Sequence, residues 1–111
     1  MILKSKTLIK ILSFNFARAM ALFPIILIRD EDLRYDKCLV NHEKIHLRQQ
    51  LELLIVFFYV WYGLEYLYRR LKFKNHREAY YNISFEKEAY ANEHDLEYLK
   101  NRKMYSFFKY M

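Results

Sequence analysis

The N-terminal third of the chain shows two different patterns of apolar side chains. Residues 2–20 alternate lysine with leucine and isoleucine and then become rich in phenylalanine and alanine, which predicts an amphipathic helix. Pro24 ends this helix because proline has no backbone N–H to donate. Residues 24–29 contain three isoleucines and a leucine, which predicts a short strand. The acidic segment 30–32 then predicts a polar turn.

The middle of the chain favours a long helix. Asp36 is a good N-cap residue, and we predict a second helix from there to about Gly63. Whether this helix continues to Leu71, with or without a kink, is left open by the pattern. The basic segment 72–76 is predicted to be a loop.

A final helical region is predicted over residues 77–103, with a restart at Ser84, another favourable N-cap residue. The pattern assigns no role to the aromatic tail, residues 105–111. The predicted fold class is therefore mainly α, with a short β-strand or small sheet. At 111 residues the chain is long enough for one hydrophobic core, so we predict one domain over residues 1–111.

Composition and charge narrow the candidate partners. One glycine and one proline among 111 residues agree with a helical protein that has few tight turns. The net charge of +6 suits either nucleic acid or an anionic membrane surface. The basic residues are scattered and accompany no nucleic-acid-binding motif, so we predict no nucleic-acid partner. The single cysteine, Cys38, cannot form an internal disulfide and fits a reducing, cytoplasmic compartment.

An uncharged apolar run, residues 53–64, raises the question of membrane association. Twelve helical residues rise about 18 Å, which is short of the roughly 30 Å hydrocarbon core of a bilayer. Extending the run to Tyr68 produces a marginal span. We predict a buried core helix here, and leave open whether residues 53–68 contact lipid through peripheral or integral association. The N-terminus lacks a clear signal-peptide cleavage site.

The main chemical motif is His42-Glu43-Lys44-Ile45-His46, an H-E-x-x-H sequence. Residues four apart on a helix point to one side, so His42 and His46 can bind one zinc ion at about 2.0–2.1 Å. Glu43 projects near enough to act as a general base on water. The motif therefore predicts two metal ligands and a catalytic carboxylate.

Helical projection argues that the two histidines face the interior. At about 100° per residue they align with a stripe of mostly apolar positions: Leu39, Gln49, Leu53, Phe57, Val60, Leu64 and Leu67. Lys44, Arg48 and Glu52 project to the opposite side. Two buried imidazoles need polar partners, and a metal ion would satisfy both.

A third ligand is expected from the segment Phe85–Asn92, where two glutamates compete. Glu88 projects to the rim of the apolar face of that helix and has Asn92 one turn later as a hydrogen-bonding support. Glu86 projects about 200° away from Glu88, so only one of the two should bind the metal. We predict Glu88 and keep Glu86 as the alternative. His76 and His94 are predicted to be solvated surface residues.

In these two motifs, the chain resembles the gluzincin-like metallopeptidases, such as the HtpX, BlaR/MecR and ImmA/IrrE types. In that pattern an H-E-x-x-H helix precedes a helix bearing E-x-x-A-D or E-x-x-A-N, here Glu88-Ala89-Tyr90-Ala91-Asn92. The resemblance covers about half of the chain, and the whole resembles a small bacterial protein. It implies a minimal zincin-like domain. Asn92 stands where most such families have aspartate, although the ImmA/IrrE group also shows asparagine.

These inferences predict a zinc metallopeptidase, a hydrolase acting on a peptide or protein substrate. His42, His46 and Glu88 would bind Zn2+, and Glu43 would take a proton from water. The predicted strand over residues 23–29 is a candidate for holding an extended substrate. The oxyanion donor, Tyr80, Tyr81 or Tyr90, is left open. The alternative is a non-catalytic protein, either a metal-binding module or a membrane-surface interaction module; a structural zinc would recruit a fourth protein ligand from Glu86, His94 or Cys38.

Overall fold

The computed structural model of the protein describes residues 2–13 and 17–111. These residues form a mainly helical fold with a three-stranded sheet, as predicted. The strands are β1 (Ile2–Lys4), β2 (Ala19–Leu22) and β3 (Ile25–Ile28). The α-helices are α1 (Lys6–Ser13), α2 (Lys37–Glu52), α3 (Val56–Lys72), α4 (His76–Tyr81), α5 (Ser84–Asn92) and α6 (Tyr98–Asn101), and 3-10 helices cover Glu31–Tyr35 and Ser106–Tyr110.

The predicted N-terminal helix is shorter than expected, because both of its ends belong to the sheet. Only α1 is helical among the described residues of 2–20, and residues 14–16 of the predicted helix lie outside the described part. The strand order is β1-β3-β2, with β1 parallel and β2 antiparallel to β3. The predicted strand is thus the central one, and its pairing partners lie on either side of α1 in sequence.

The sheet packs against α2 through one of two apolar clusters. Ala19, Ile26 and Ile28 of the sheet are buried together with Leu33, and partly buried side chains of α2 complete this cluster. The second cluster joins α3, α5 and the C-terminal segment through Phe58, Ile83, Phe85 and Phe107. Helix α2 contacts both the sheet and α5, so its motif face lies deep in the protein.

The predicted long helix is broken after Glu52. Helix α3 begins at Val56, and the two helices are bent by 111°. Leu54 and Ile55 have φ values of 55° and 65°, a region that costs side chains with a Cβ about 1–2 kcal/mol. The break changes the direction of α3, so that Phe57, Val60, Leu64 and Leu67 are exposed. The prediction that these four share a buried stripe with the histidines was wrong.

The remaining helices follow the predicted order with more interruptions. Asn75 caps α4 by accepting a hydrogen bond from Glu78 N at 2.8 Å, so the predicted basic loop ends there. Helix α5 starts at Ser84 as predicted, but Ile83 occupies the N-cap position. Among the described residues, no single helix has both the length and the apolar character needed to cross a membrane; α2 and α3 meet that condition only as a bent pair.

Candidate metal centre

Helix α2 brings the two motif histidines together in the interior. The Asp36 side chain caps the helix by accepting a hydrogen bond from Leu39 N at 3.1 Å, as predicted. His42 and His46 are both buried. Their Nε2 atoms lie 3.2 Å apart, so both imidazoles present the same nitrogen to one point.

Glu86 of α5 completes a three-residue cluster. Its Oε1 lies 3.2 Å from His42 Nε2 and 3.0 Å from His46 Nε2. A tetrahedral ion bound at 2.0–2.1 Å separates its ligand atoms by about 3.3 Å. The three donor atoms are thus within a few tenths of an ångström of the spacing that zinc requires. Two neutral imidazoles and a carboxylate are also a suitable donor set for this metal.

Helix α5 is fixed at both ends by side chains of other helices. Glu65 of α3 accepts hydrogen bonds from Ser84 N at 3.0 Å and from Ser84 Oγ at 2.7 Å, and this carboxylate stabilises the positive end of the α5 dipole. At the other end, Asn41 Nδ2 donates to Glu93 O at 2.9 Å and to Asp95 O at 3.0 Å. These contacts set the position of Glu86 relative to α2.

Glu88, the predicted third ligand, lies on the other side of α5 and is engaged elsewhere. Arg102 donates to Glu88 from Nε and also, at 3.1 Å, from Nη2. Tyr98 Oη donates to the same carboxylate at 2.6 Å. Asn92 supports the backbone carbonyl of Glu88, at 2.8 Å, rather than a ligand side chain. The structure therefore assigns the third position beside the histidines to Glu86, the alternative.

The physical reason for this correction is that both flanks of α5 are buried, although by different partners. The helical projection of α5 assumes one buried face, and on that assumption Glu88, at the rim of the apolar face, is the better candidate. Here the Glu86 flank faces α2, while the Glu88 flank is covered by Arg102 from the C-terminal segment, whose side chain is fully buried. The pattern of apolar residues gives no signal that the side chain of Arg102 is buried.

Gln49 fixes the tautomer of His46. Its amide nitrogen donates to Phe85 O at 3.2 Å and to Glu88 Oε1 at 2.9 Å, which sets the orientation of the amide. Gln49 Oε1 therefore faces His46 Nδ1 at 2.8 Å and accepts its proton. The neutral tautomer with Nδ1 protonated leaves the Nε2 lone pair free for a metal, as is usual for a histidine ligand.

Tyr62 of α3 orients the carboxylate of Glu86. The Tyr62 hydroxyl donates to Glu86 Oε2 at 2.7 Å, so Oε1 alone is directed at the histidines. Burial, reinforced by the charge of Glu86, raises the pKa of Tyr62 well above its usual value, and the hydroxyl stays protonated. By contrast, His42 Nδ1 is buried without a hydrogen-bond partner among the described residues, and its nearest carboxylate is Glu93 Oε2 at 3.5 Å.

The electrostatics of the three-residue cluster indicate that a metal cation would take the place of a proton on His46. Burial disfavours the imidazolium form of His46, but the charge and hydrogen bond of Glu86 outweigh it and raise the pKa of His46 to about 9. Burial likewise opposes the ionised form of Glu86, yet His46 and His42 hold the pKa of this carboxyl far below its usual range. Without a metal, both shifts favour an imidazolium–carboxylate pair, and a bound dication would supply the positive charge in place of that proton.

A cavity of about 400 Å³ opens beside the cluster. Glu43, His46 and Glu86 line one part of it, and residues of β2, α3, α1 and α4 line most of the rest. Burial raises the pKa of Glu43, partly offset by the two histidines. A raised pKa brings a carboxylate closer to the operating pH of a general base.

The strand that borders this cavity is β2, not the predicted segment 23–29. Strand β3 is paired on both sides and offers no free edge, whereas β2 is an edge strand of the sheet that the described residues form. Gln50 of α2 fixes the end of β2: it donates to Ala21 O at 2.7 Å and accepts from Phe23 N at 2.8 Å. The sequence pattern missed β2 because alanine and methionine are weak strand formers.

The other two histidines are exposed, as predicted, although each has a neighbour. His94 Nδ1 lies 2.9 Å from Cys38 Sγ, and His76 Nδ1 lies 2.8 Å from Tyr66 Oη. Neither His94 nor Cys38 belongs to the metal-compatible cluster that the described residues form, which consists of His42, His46 and Glu86.

Three residues that position the candidate site were missed by the sequence reasoning, namely Tyr62, Gln50 and Arg102. Gln50 had a usable signal: it lies four positions after His46, so it projects about 40° away on the same inner side of α2, where polar residues need partners. Tyr62 and Arg102 had none, since their positions depend on the α2–α3 bend and on the return of the C-terminal segment. No protein-family model, curated protein or solved structure matches this chain.

Proposed function

We propose that this protein is a zinc-dependent peptidase whose metal ligands are His42, His46 and Glu86. The observation that carries the proposal is the mutual spacing of the three donor atoms, 3.0–3.2 Å, at the wall of a cavity that also contains Glu43. When bound, zinc would polarise a substrate carbonyl and lower the pKa of a coordinated water. The three-ligand set leaves a fourth position open, as catalytic zinc sites do.

Glu43 is the proposed general base. It lines the cavity without being part of the metal-compatible cluster, so its carboxylate is free to take a proton from water and pass it to the leaving amine. Its raised pKa, caused by burial, makes it a better proton acceptor than an exposed glutamate.

Strand β2 is the proposed binding edge for the substrate. Its Ala19–Leu22 backbone borders the cavity, and the edge opposite β3 is available for pairing with an extended chain. Gln50 already occupies Ala21 O, so the substrate would pair mainly with Ala19. Two of the four side chains of β2, those of Ala19 and Ala21, are small, which leaves room beside them for the larger side chains of a peptide.

Metal analysis tests the ligand set, with a control on the same helix. Purified protein should contain one zinc per chain by mass spectrometry, and His46→Ala and Glu86→Gln should each lose it. Glu88→Gln is the matched control: the residue is equally buried and the substitution identical, but zinc should be retained. Zinc retained in Glu86→Gln and lost in Glu88→Gln would restore the prediction made from sequence.

A cleavage assay then tests the reaction. Zinc-loaded protein should hydrolyse members of a library of extended peptides, and Glu43→Gln should keep the zinc but lose hydrolysis by at least about 100-fold. Hydrolysis that survives in Glu43→Gln would contradict the assigned base. A stoichiometric zinc with no hydrolysis of any peptide would favour the alternative, a non-catalytic metal-binding module.

A further inference from the structure

An exposed apolar stripe runs along α3, on the side opposite the cavity. Its residues are 53–89% exposed, and from Phe57 onwards they recur every three or four positions: Val56, Phe57, Val60, Leu64, Leu67 and Leu71. Scattered exposed leucines are ordinary, but a contiguous stripe with helical spacing marks an interaction surface. We call this set the α3 stripe.

The exposed charges of the segment that carries the α3 stripe, residues 51–74, have one sign. Residues 51–74 are fully described, and the ionised groups exposed there are Arg70, Lys72 and Lys74. The two acidic residues of the same segment have buried side chains: Glu52 is 4% exposed and Glu65 is 7% exposed. Exposed cations thus collect at one end of the stripe, and residues 51–74 contain no exposed carboxylate to neutralise them.

We propose that the α3 stripe binds the surface of an anionic lipid bilayer, with α3 lying in the plane of the interface. Apolar side chains would enter the acyl boundary, and Arg70, Lys72 and Lys74 would contact anionic headgroups. The proposal does not depend on the metal centre.

The dimensions of the stripe favour a helix lying on the bilayer. From Phe57 to Leu71 the helix rises about 21 Å, which is less than the roughly 30 Å hydrocarbon thickness. The basic residues follow directly at the C-terminal end. Tyr68, whose ring lies 5.0 Å from Lys72 Nζ, stands between the apolar and basic parts, where an amphipathic aromatic ring suits the interface.

A second copy of the chain fits this surface less well. If two stripes paired in parallel, the basic ends would repel each other. If they paired antiparallel, each basic end would face the uncharged start of the other helix. Neither arrangement supplies negative charge, whereas phosphatidylglycerol does. Exposed Phe108 and Met111 of the C-terminal segment add apolar area beside the stripe.

Co-sedimentation with lipid vesicles tests the proposal. The full chain should bind vesicles of equal parts phosphatidylcholine and phosphatidylglycerol, and salt should weaken this binding. The double variant Leu64→Gln/Leu67→Gln should bind about 30-fold more weakly or worse, because two apolar side chains no longer enter the bilayer. Arg70→Gln/Lys72→Gln should also lose about 30-fold, at about 1 kcal/mol per basic residue.

Leu96→Gln serves as the matched control, because Leu96 is 51% exposed but lies outside α3; it should bind like the original chain. Circular dichroism would establish that all variants are folded. Absence of binding to anionic vesicles, or equal binding by the control and the α3 variants, would overturn the proposal. So would a dimer in sedimentation that Leu64→Gln/Leu67→Gln dissociates while vesicles fail to bind, since the stripe would then be a protein interface.

Discussion

Replacing Arg102 with methionine most directly tests whether the two glutamates of α5 have different roles, with Glu88 paired to Arg102 and Glu86 facing the histidines. Arg102 is fully buried and donates hydrogen bonds to both Glu88 and Glu52. Methionine keeps much of the side-chain volume but leaves two buried carboxylates without their cation. Removing one partner of a buried ion pair costs about 3–5 kcal/mol. We expect a loss of that size in the free energy of unfolding.

The expected thermal shift follows from the chain length. Unfolding entropy of about 2.1 cal/mol/K per residue gives about 0.23 kcal/mol/K for this chain, so 3 kcal/mol corresponds to a Tm lower by about 13 °C. Urea titration with EDTA present measures the same quantity without a contribution from bound metal. Lys100→Met is the control: this side chain is 76% exposed, and its loss should change stability by less than about 0.5 kcal/mol.

A double variant makes the test specific to the ion pair. Arg102→Met/Glu88→Gln should be more stable than Arg102→Met alone, because one uncompensated charge has been removed. If Arg102→Met costs less than about 1 kcal/mol, or if Glu88→Gln does not restore stability to it, then Arg102 does not neutralise Glu88 and the reason given for the choice of Glu86 fails.

Three further substitutions test individual contacts. Tyr62→Phe removes the hydrogen bond to Glu86 and should weaken zinc binding by about 10-fold or more in a competition titration with a chelator. Because the buried Oε2 of Glu86 then lacks its donor, the metal-free chain should also lose about 1–3 kcal/mol in unfolding. Glu65→Gln removes the charge that caps α5 at Ser84 and should cost about 1–2 kcal/mol in urea unfolding; no loss would mean that α5 is fixed mainly by its other contacts. Gly63→Ala should raise stability by about 0.5–1 kcal/mol, since a Cβ there meets nothing within 4 Å, and a loss would indicate that α3 is more crowded at this position.

How much of the structure was predictable depends on whether local signals decide it. The Asp36 cap, the burial of His42 and His46 and the restart at Ser84 follow from short-range patterns, and the structure has all of them. The break at Leu54–Ile55 does not, because no glycine or proline marks it and both residues are ordinary helix-compatible apolar side chains. The break has a large consequence. The residues of α3 that were predicted to be buried by extending the periodicity of α2 are exposed instead.

The prediction of Glu88 rather than Glu86 failed for a related reason, since it depends on a distant part of the chain. The same contact shows what the C-terminal segment does. Two carboxylates on one buried helix both need compensation, and a single metal centre can use only one of them. The chain compensates Glu88 with Arg102, which reaches α5 from beyond α6 and also binds Glu52 of α2. This arrangement couples the C-terminal segment, to which the sequence assigns no role, to the back of the candidate metal centre through Gln49 and His46. We therefore expect Arg102→Met to lower zinc affinity as well as stability, and Lys100→Met to leave both unchanged. A chelator competition in conditions where each variant is folded would measure this coupling. Equal zinc affinities would show that Gln49 holds His46 without help from Glu88.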